Sequence, residues 1–147
     1  MEYLVTLCGS PASGKTTLSK KLAETYNLIR YSFDERNCIY YEDLIQPVLE
    51  SLNKGQHVII DALHNRKSLR KQLLEPIKDF SCKKILIYMN TPLEECIRRN
   101  AERPNPLPTF IVRDIYNSFE PPALDEGWDE IIYIKEDDCY GFNVKSN

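Results

Sequence analysis

Gly9-Ser10-Pro11-Ala12-Ser13-Gly14-Lys15-Thr16-Thr17 follows the largely apolar run Tyr3 to Cys8 and decides the fold. Its spacing is G-x-x-x-x-G-K-[ST], the phosphate-binding P-loop pattern. A strand that runs into such a loop and then into a helix aims successive backbone N–H groups and the positive helix end at one point, where a polyphosphate sits. Lys15 then reaches the β and γ phosphates, and the Thr16 hydroxyl ligates Mg²⁺. Downstream, Leu18, Leu22, Ala23 and Tyr26 recur at helical spacing, which supplies the helix the motif requires. A glycine-rich turn that merely joined strand to helix would leave the pairing of Lys15 with Thr16 unexplained.

The rest of the chain repeats the alternation. Asn27 to Phe33 reads as a second strand ending at Asp34-Glu35-Arg36. Leu44, Val48, Leu49 and Leu52 stripe a helix that Gly55 stops, with Pro47 as its kink or its true start. His57 to Ile60 is a buried strand leading into Asp61, and Leu69, Leu73, Leu74 and Ile77 mark the next helix. Ile85 to Met89 is a fourth strand, and Thr91-Pro92-Leu93-Glu94 reads as a capping box with proline at the first helical position. That helix ends in Arg98, Arg99 and Arg103. Pro104 to Pro108 then breaks the chain, so residues of about 99–109 read as a short lid. A short helix with Phe110, Ile111, Ile115, Tyr116 and Phe119 precedes Pro121-Pro122, and Ile131 to Ile134 forms a fifth strand. From about residue 136 the tail is polar and expected to be poorly ordered.

Strands alternating with helices at this spacing imply right-handed crossovers between parallel strands. The expected fold is therefore α/β, a three-layer sandwich around a five-stranded parallel sheet. Ligands in such folds bind beyond the carboxyl ends of the strands. The P-loop, Asp34 and Asp61 stand at the ends of the first three strands, so their convergence is a geometric expectation.

Length and composition set the outer limits. The 147 residues match one domain, and 42% hydrophobic with 28% charged residues belongs to a globular chain with no apolar stretch of membrane-spanning length. With the first strand expected to start at once, no signal peptide is expected. The five cysteines, Cys8, Cys38, Cys82, Cys96 and Cys139, show no metal-ligand spacing and read as reduced thiols, with Cys8 and Cys96 as small buried hydrophobes. A cytoplasmic protein with no membrane partner is expected. The net charge of −3 does not advertise nucleic-acid binding, although a local basic groove would matter more than the total.

Phosphoryl transfer to an alcohol needs a carboxylate that orients the acceptor hydroxyl and takes its proton. Asp34 is the first choice for that base and Asp61 the second. Asp61 is also placed to hold Mg²⁺, directly or through water, or to bond Thr16. An aspartate at position 34 would equally serve to cap the following helix. Arg99 and Arg103 are one helical turn apart and suited to offset charge on the transferring phosphate, or simply to complement the helix dipole. Arg36, beside Asp34, is a candidate contact for an acceptor phosphate. Tyr40 and Tyr41 read as edge-of-core residues or as platforms for a base, and Arg66, Lys67, Arg70 and Lys71 as a solvated helix face.

These residues resemble, in order and over most of the chain, the P-loop kinases related to the polynucleotide 5′-hydroxyl kinase domain, within the AAA/P-loop NTPase superfamily that includes zeta-toxin-like kinases. The P-loop, Asp34, Ile59-Ile60-Asp61-Ala62, and Cys96 to Pro104 carry the resemblance. Tyr116 to Trp128 is similar to a stretch of bifunctional polynucleotide kinase/phosphatases. The resemblance implies a nucleoside-kinase-like P-loop NTPase fold with a short lid. It further implies ATP and Mg²⁺ bound by Lys15 and Thr16, Asp34 as general base, Arg99 near the nucleotide, and Arg103 stabilising the transferring phosphate. Asn37 stands where that family usually has an arginine that contacts the acceptor's neighbouring phosphate, and no Asp-x-Asp-x-Thr phosphatase motif occurs. The expected activity is transfer of the γ-phosphate of ATP to a hydroxyl, with three acceptor classes open: the 5′ end of single-stranded nucleic acid, a nucleoside or nucleotide, and another small molecule. An ATP-binding regulatory module without transfer is the alternative of a different class.

Overall fold

The computed structural model describes residues 1–135. It contains the strands β1 (Glu2–Gly9), β2 (Ile29–Ser32), β3 (Val58–Asp61), β4 (Cys82–Met89) and β5 (Glu130–Ile134). Between them run the helices α1 (Lys15–Tyr26), α2 (Glu42–Asn53), α3 (Lys67–Leu74), α4 (Leu93–Ala101) and α5 (Thr109–Ser118), with 3-10 turns at Glu75–Ile77 and Leu124–Glu126. All strand pairs are parallel, in the order β2-β3-β1-β4-β5. This is the expected five-stranded three-layer architecture.

Both faces of the sheet are covered, so its central strands read as nearly continuous apolar runs. Period-two alternation sorts their side chains. Leu4 and Cys8 of β1, Val58 and Ile60 of β3, and Leu86 of β4 pack with Leu44, Val48 and Leu52 of α2 and Leu73 and Leu74 of α3. Val5 and Leu7, Ile59, and Ile85 and Ile87 pack with Leu18 and Leu22 of α1 on the other face. The register aligns Leu7 of β1 with Asp61 of β3, and Asp61 with Ser32 of β2, which brings the first three strand ends together.

Three local expectations change. Asn27 does not start β2. It caps α1 in the left-handed conformation (φ 56°), its N–H donating to the Ala23 carbonyl, a role asparagine fills at little steric cost. Pro47 does not mark the start of α2, since the helix begins at Glu42 and carries the proline inside. The Asp43 carboxylate accepts from the Ile39 and Tyr40 N–H groups at 3.3 and 3.1 Å, fixing that earlier start. Finally, Arg70 does not belong to a solvated face. It is fully buried while Arg66, Lys67 and Lys71 are exposed. Its guanidinium donates to Glu126 Oε1 at 2.8 Å, Glu126 Oε2 at 3.1 Å and the His64 carbonyl at 2.7 Å, so the charge is paired and bonded inside the fold. The tail from residue 136 and Cys139 lie outside the described residues.

Candidate active site

The phosphate loop is built from residues 9–14 between β1 and α1. Gly9 lies in the β1–β4 register opposite Met89, and a Cβ there would meet Ser13 Oγ at 2.7 Å and Met89 Cβ and carbonyl oxygen at 2.9 Å. No other residue fits without moving backbone. Ala12 (φ 62°) and Gly14 (φ 104°) both turn in the left-handed region, which curls the loop back so that the Ser13 N–H bonds the Ser10 carbonyl at 3.2 Å. Pro11 is buried, and Thr17 is exposed on the first turn of α1.

Lys15 Nζ donates to the Gly9 and Ser10 carbonyls at 2.7 and 2.9 Å. Burial draws its pKa down to about 8, against the opposing pull of Asp61 and, more weakly, Asp34. Thr16 Oγ1 donates to Asp61 Oδ2 at 3.0 Å, so the two residues expected to hold a metal are in direct contact. Ser13 Oγ is buried without a partner among the described residues. A tight glycine at each end, an orphaned hydroxyl, an ammonium on loop carbonyls and a hydroxyl–carboxylate pair together fit a polyphosphate with its divalent cation. Among the described residues no group of three or more His, Cys, Asp or Glu side chains forms a metal cage of its own. That suits Mg²⁺, which is usually held by one or two protein groups with phosphate and water.

Two donors from beyond the end of β4 anchor the Ser13 carbonyl: Thr91 Oγ1 at 2.8 Å and Arg99 Nη1 at 3.3 Å. The capping box expected at Thr91 is therefore not made. Helix α4 starts at Leu93 with Pro92 at its cap and no side-chain cap bond, so Thr91 stands one residue before the cap position and its hydroxyl donates to the loop instead. Arg99 is braced by Glu95 Oε1 at 3.0 Å, within the same ion-pair group as Arg98. Arg103 lies beyond the last residue of α4, exposed, in the segment 102–108. Asn100, 2% exposed, closes that segment at its base by donating to the Leu107 carbonyl at 2.7 Å and accepting its N–H at 3.1 Å.

Asp34 follows the end of β2 in an exposed turn, its backbone carbonyl accepting the Asn37 N–H at 3.1 Å. Helix α2 starts only at Glu42, so Asp34 is not its cap, and its carboxylate forms no hydrogen bond or ion pair with another described residue. Arg36 stacks its guanidinium over the Tyr31 ring at 5.1 Å. Tyr41 is an edge-of-core residue, its ring against Phe33 and its hydroxyl sharing a 2.9 Å hydrogen bond with His64 Nδ1. Burial pushes the His64 imidazole down to about 3, so it stays neutral. Tyr40 is exposed at the mouth of an open groove of about 580 Å³ between α2 and α3.

Four contributors were not read from the sequence: Arg30, Thr91, Asn100 and the Arg70–Glu126 pair. An arginine inside the four-residue strand Ile29–Ser32 was the one local signal, since strand interiors rarely hold a charge without a partner.

A family model described as an AAA domain matches residues 4–122. The L-seryl-tRNA(Sec) kinase of Methanococcus maripaludis is 30% identical over 143 residues, covering 86% of this chain and 56% of that protein. The chain spans about half the length of the curated relatives it matches. The crystal structure of Chaetomium thermophilum Kti12 in complex with ADP-AlF3 shares the fold with a TM-score of 0.73 at 18% identity, over 92% of this chain and 90% of that one. A fungal RNA kinase does so with a TM-score of 0.73 at 16% identity, over 91% and 74%. No helix among the described residues is long and apolar enough to cross a membrane. Loop, strand order and family match agree: the chain belongs to the AAA domain family and has the fold of the P-loop kinases.

Proposed function

We propose that these residues form one ATP- and Mg²⁺-dependent kinase domain, acting in the cytoplasm, that phosphorylates a hydroxyl carried by a polynucleotide, with the 5′-hydroxyl as the first candidate. The observation that carries this reading is the unpartnered carboxylate of Asp34, exposed beyond β2 and within electrostatic reach of Lys15. A general base needs a carboxylate that the protein itself does not occupy. The name of the seryl-tRNA kinase relative supports an acceptor hydroxyl borne on RNA.

ATP with Mg²⁺ supplies a γ-phosphoryl group, which leaves ADP as its bond to the β-phosphate oxygen breaks and its bond to the acceptor oxygen forms. Asp34 orients the acceptor hydroxyl and takes its proton. Lys15 leaves the loop carbonyls for phosphate oxygens, Thr16 and Asp61 hold the cation, and Arg99 adds positive charge where α4 meets the loop. Segment 99–109 serves as the lid that brings Arg103 in, and Arg36 meets the acceptor. An arginine so placed is worth about 10³ to 10⁵ in rate.

A second reading, nucleotide binding without transfer, is favoured by Arg103, which is exposed beyond the last residue of α4 and makes no hydrogen bond to the phosphate loop among the described residues. Incubation with γ-labelled ATP, Mg²⁺ and a panel of single-stranded RNA and DNA, tRNA, nucleosides and small alcohols separates the two. Transfer that Asp34→Ala abolishes while ATP still binds supports the kinase. ATP bound with no transfer to any acceptor removes it, and label on a small alcohol alone removes the polynucleotide acceptor.

A further inference from the structure

Arg30 stands between Asp61 and Glu35. Its side chain is 16% exposed, and one nitrogen, Nη2, donates to Asp61 Oδ2 at 2.9 Å and to Glu35 Oε2 at 2.5 Å. Nε donates to Ser19 Oγ at 2.8 Å, which fixes the plane of the guanidinium against α1. On Asp61 the contacts converge on the same oxygen: Oδ2 takes Arg30 and Thr16, with Ser19 Oγ at 3.4 Å. A guanidinium therefore shares a carboxylate oxygen with the hydroxyl expected to ligate a dication.

That arrangement has an electrostatic consequence. A dication held near Thr16 and Asp61 competes with Arg30 for the same negative charge and is repelled by it, and in a partly buried site such terms are not screened away. Relief requires a second anion for Arg30. Glu35 is already in contact, and Arg30 holds its carboxyl below the usual range, with Lys20 contributing from α1. Lys15 is the other cation that feels Asp61.

We propose that Arg30 is the built-in counter-ion of Asp61, shared with Glu35, and that this sharing sets how strongly Mg²⁺ reinforces nucleotide binding. The inference rests on the proposed role of Thr16 and Asp61 in holding the cation. When Mg²⁺ draws on Asp61, Arg30 shifts its weight to Glu35, which lies next to Asp34. Arg30 is a positioning residue; it acts through the two carboxylates and touches neither acceptor nor phosphate.

The test is the ratio of dissociation constants for a fluorescent ATP analogue measured in EDTA and in excess Mg²⁺, below the melting transition of each variant. Arg30→Met keeps the aliphatic stem and removes the competitor, so the ratio rises by about fivefold or more. Glu35→Gln, on an exposed turn, takes away the alternative partner, leaves Arg30 wholly on Asp61, and lowers the ratio. The double variant matches Arg30→Met, because Glu35 acts only through Arg30, and Arg30→Lys stays close to wild type. A merely structural role would move both single variants in the same direction, and that result overturns the proposal, as does a ratio unchanged in Arg30→Met. A wild-type ratio near one removes the Mg²⁺ role of Thr16 and Asp61 and this inference with it. A large wild-type ratio blind to Arg30 removes only the inference.

Discussion

Arg70→Met tests the buried pair that holds the loop beyond Asp61 in place. Arg70 is fully buried and gives four hydrogen bonds, two to the Glu126 carboxylate, one to the His64 carbonyl and a longer one to the Pro121 carbonyl at 3.4 Å. Methionine keeps much of the volume but leaves the mostly buried Glu126 carboxylate, among the described residues, with the Trp128 indole N–H and the Ala123 N–H as its remaining donors. It also leaves the His64 carbonyl without that donor. Breaking a buried pair by removing one partner costs about 3–5 kcal/mol, and the two surviving donors on Glu126 place this case near the lower end. At roughly 4 °C per kcal/mol for a chain of this size, the melting temperature falls by about 12–16 °C. Urea unfolding with linear extrapolation measures the loss directly, with Arg66→Ala and Lys71→Ala on the exposed face as controls that stay within about 0.5 kcal/mol. Glu126→Gln and the double variant complete a cycle whose coupling should exceed about 1.5 kcal/mol. A loss below about 1 kcal/mol in Arg70→Met with an unchanged slope would mean that water replaces the guanidinium, and the reasoning fails.

The depressed pKa of Lys15, about 8 against an ordinary 10.5, makes nucleotide binding pH-dependent. The nucleotide-free protein releases this proton near pH 8, a bound polyphosphate restores it, and affinity therefore falls as pH rises through that value. Calorimetry at pH 9 in two buffers of different ionisation enthalpy should show proton uptake, and none would contradict the assignment. The same depression makes the free protein gain stability between about pH 8 and 10.5, because the unfolded chain keeps its proton longer. Gly9→Ala forces a Cβ to within 2.7–2.9 Å of Ser13 and Met89, so nucleotide binding should be lost, together with about 1–3 kcal/mol of stability. Wild-type affinity in that variant would mean the loop is softer than its packing implies. Thr91→Val keeps the shape but removes the bond to the Ser13 carbonyl. It should cost about 1 kcal/mol in thermal unfolding and weaken nucleotide binding, whereas an effect on neither shows that Arg99 alone anchors the loop.

Much of the architecture was legible because it is written locally. Apolar runs of strand length, helical stripes and a contiguous nine-residue loop signal need only near neighbours in the chain, and so β1 to β5 were all expected. Two of the misreadings share one cause. Thr91 and Arg70 each had a sound local reading, as helix cap and solvated face, and each was claimed by a distant partner in the fold. Thr91 shows this most plainly, since α4 takes Pro92 as its cap and leaves Thr91 one residue outside the cap position, with its hydroxyl donating to the Ser13 carbonyl.

From the chain alone came the phosphate loop with its Lys15 and Thr16, the order of strands and helices along the sequence, and two acids at successive strand ends. The tertiary structure decided which of these groups meet. Arg30 reaches Asp61 across 31 residues, Arg70 reaches Glu126 across 56, and Thr91 reaches Ser13 across 78. These contacts depend on β3 lying between β2 and β1, and on β4 flanking β1 on its other side. Local propensity does not encode that order. It is set by which apolar faces bury one another, and only once they have done so are the distant charges brought within reach.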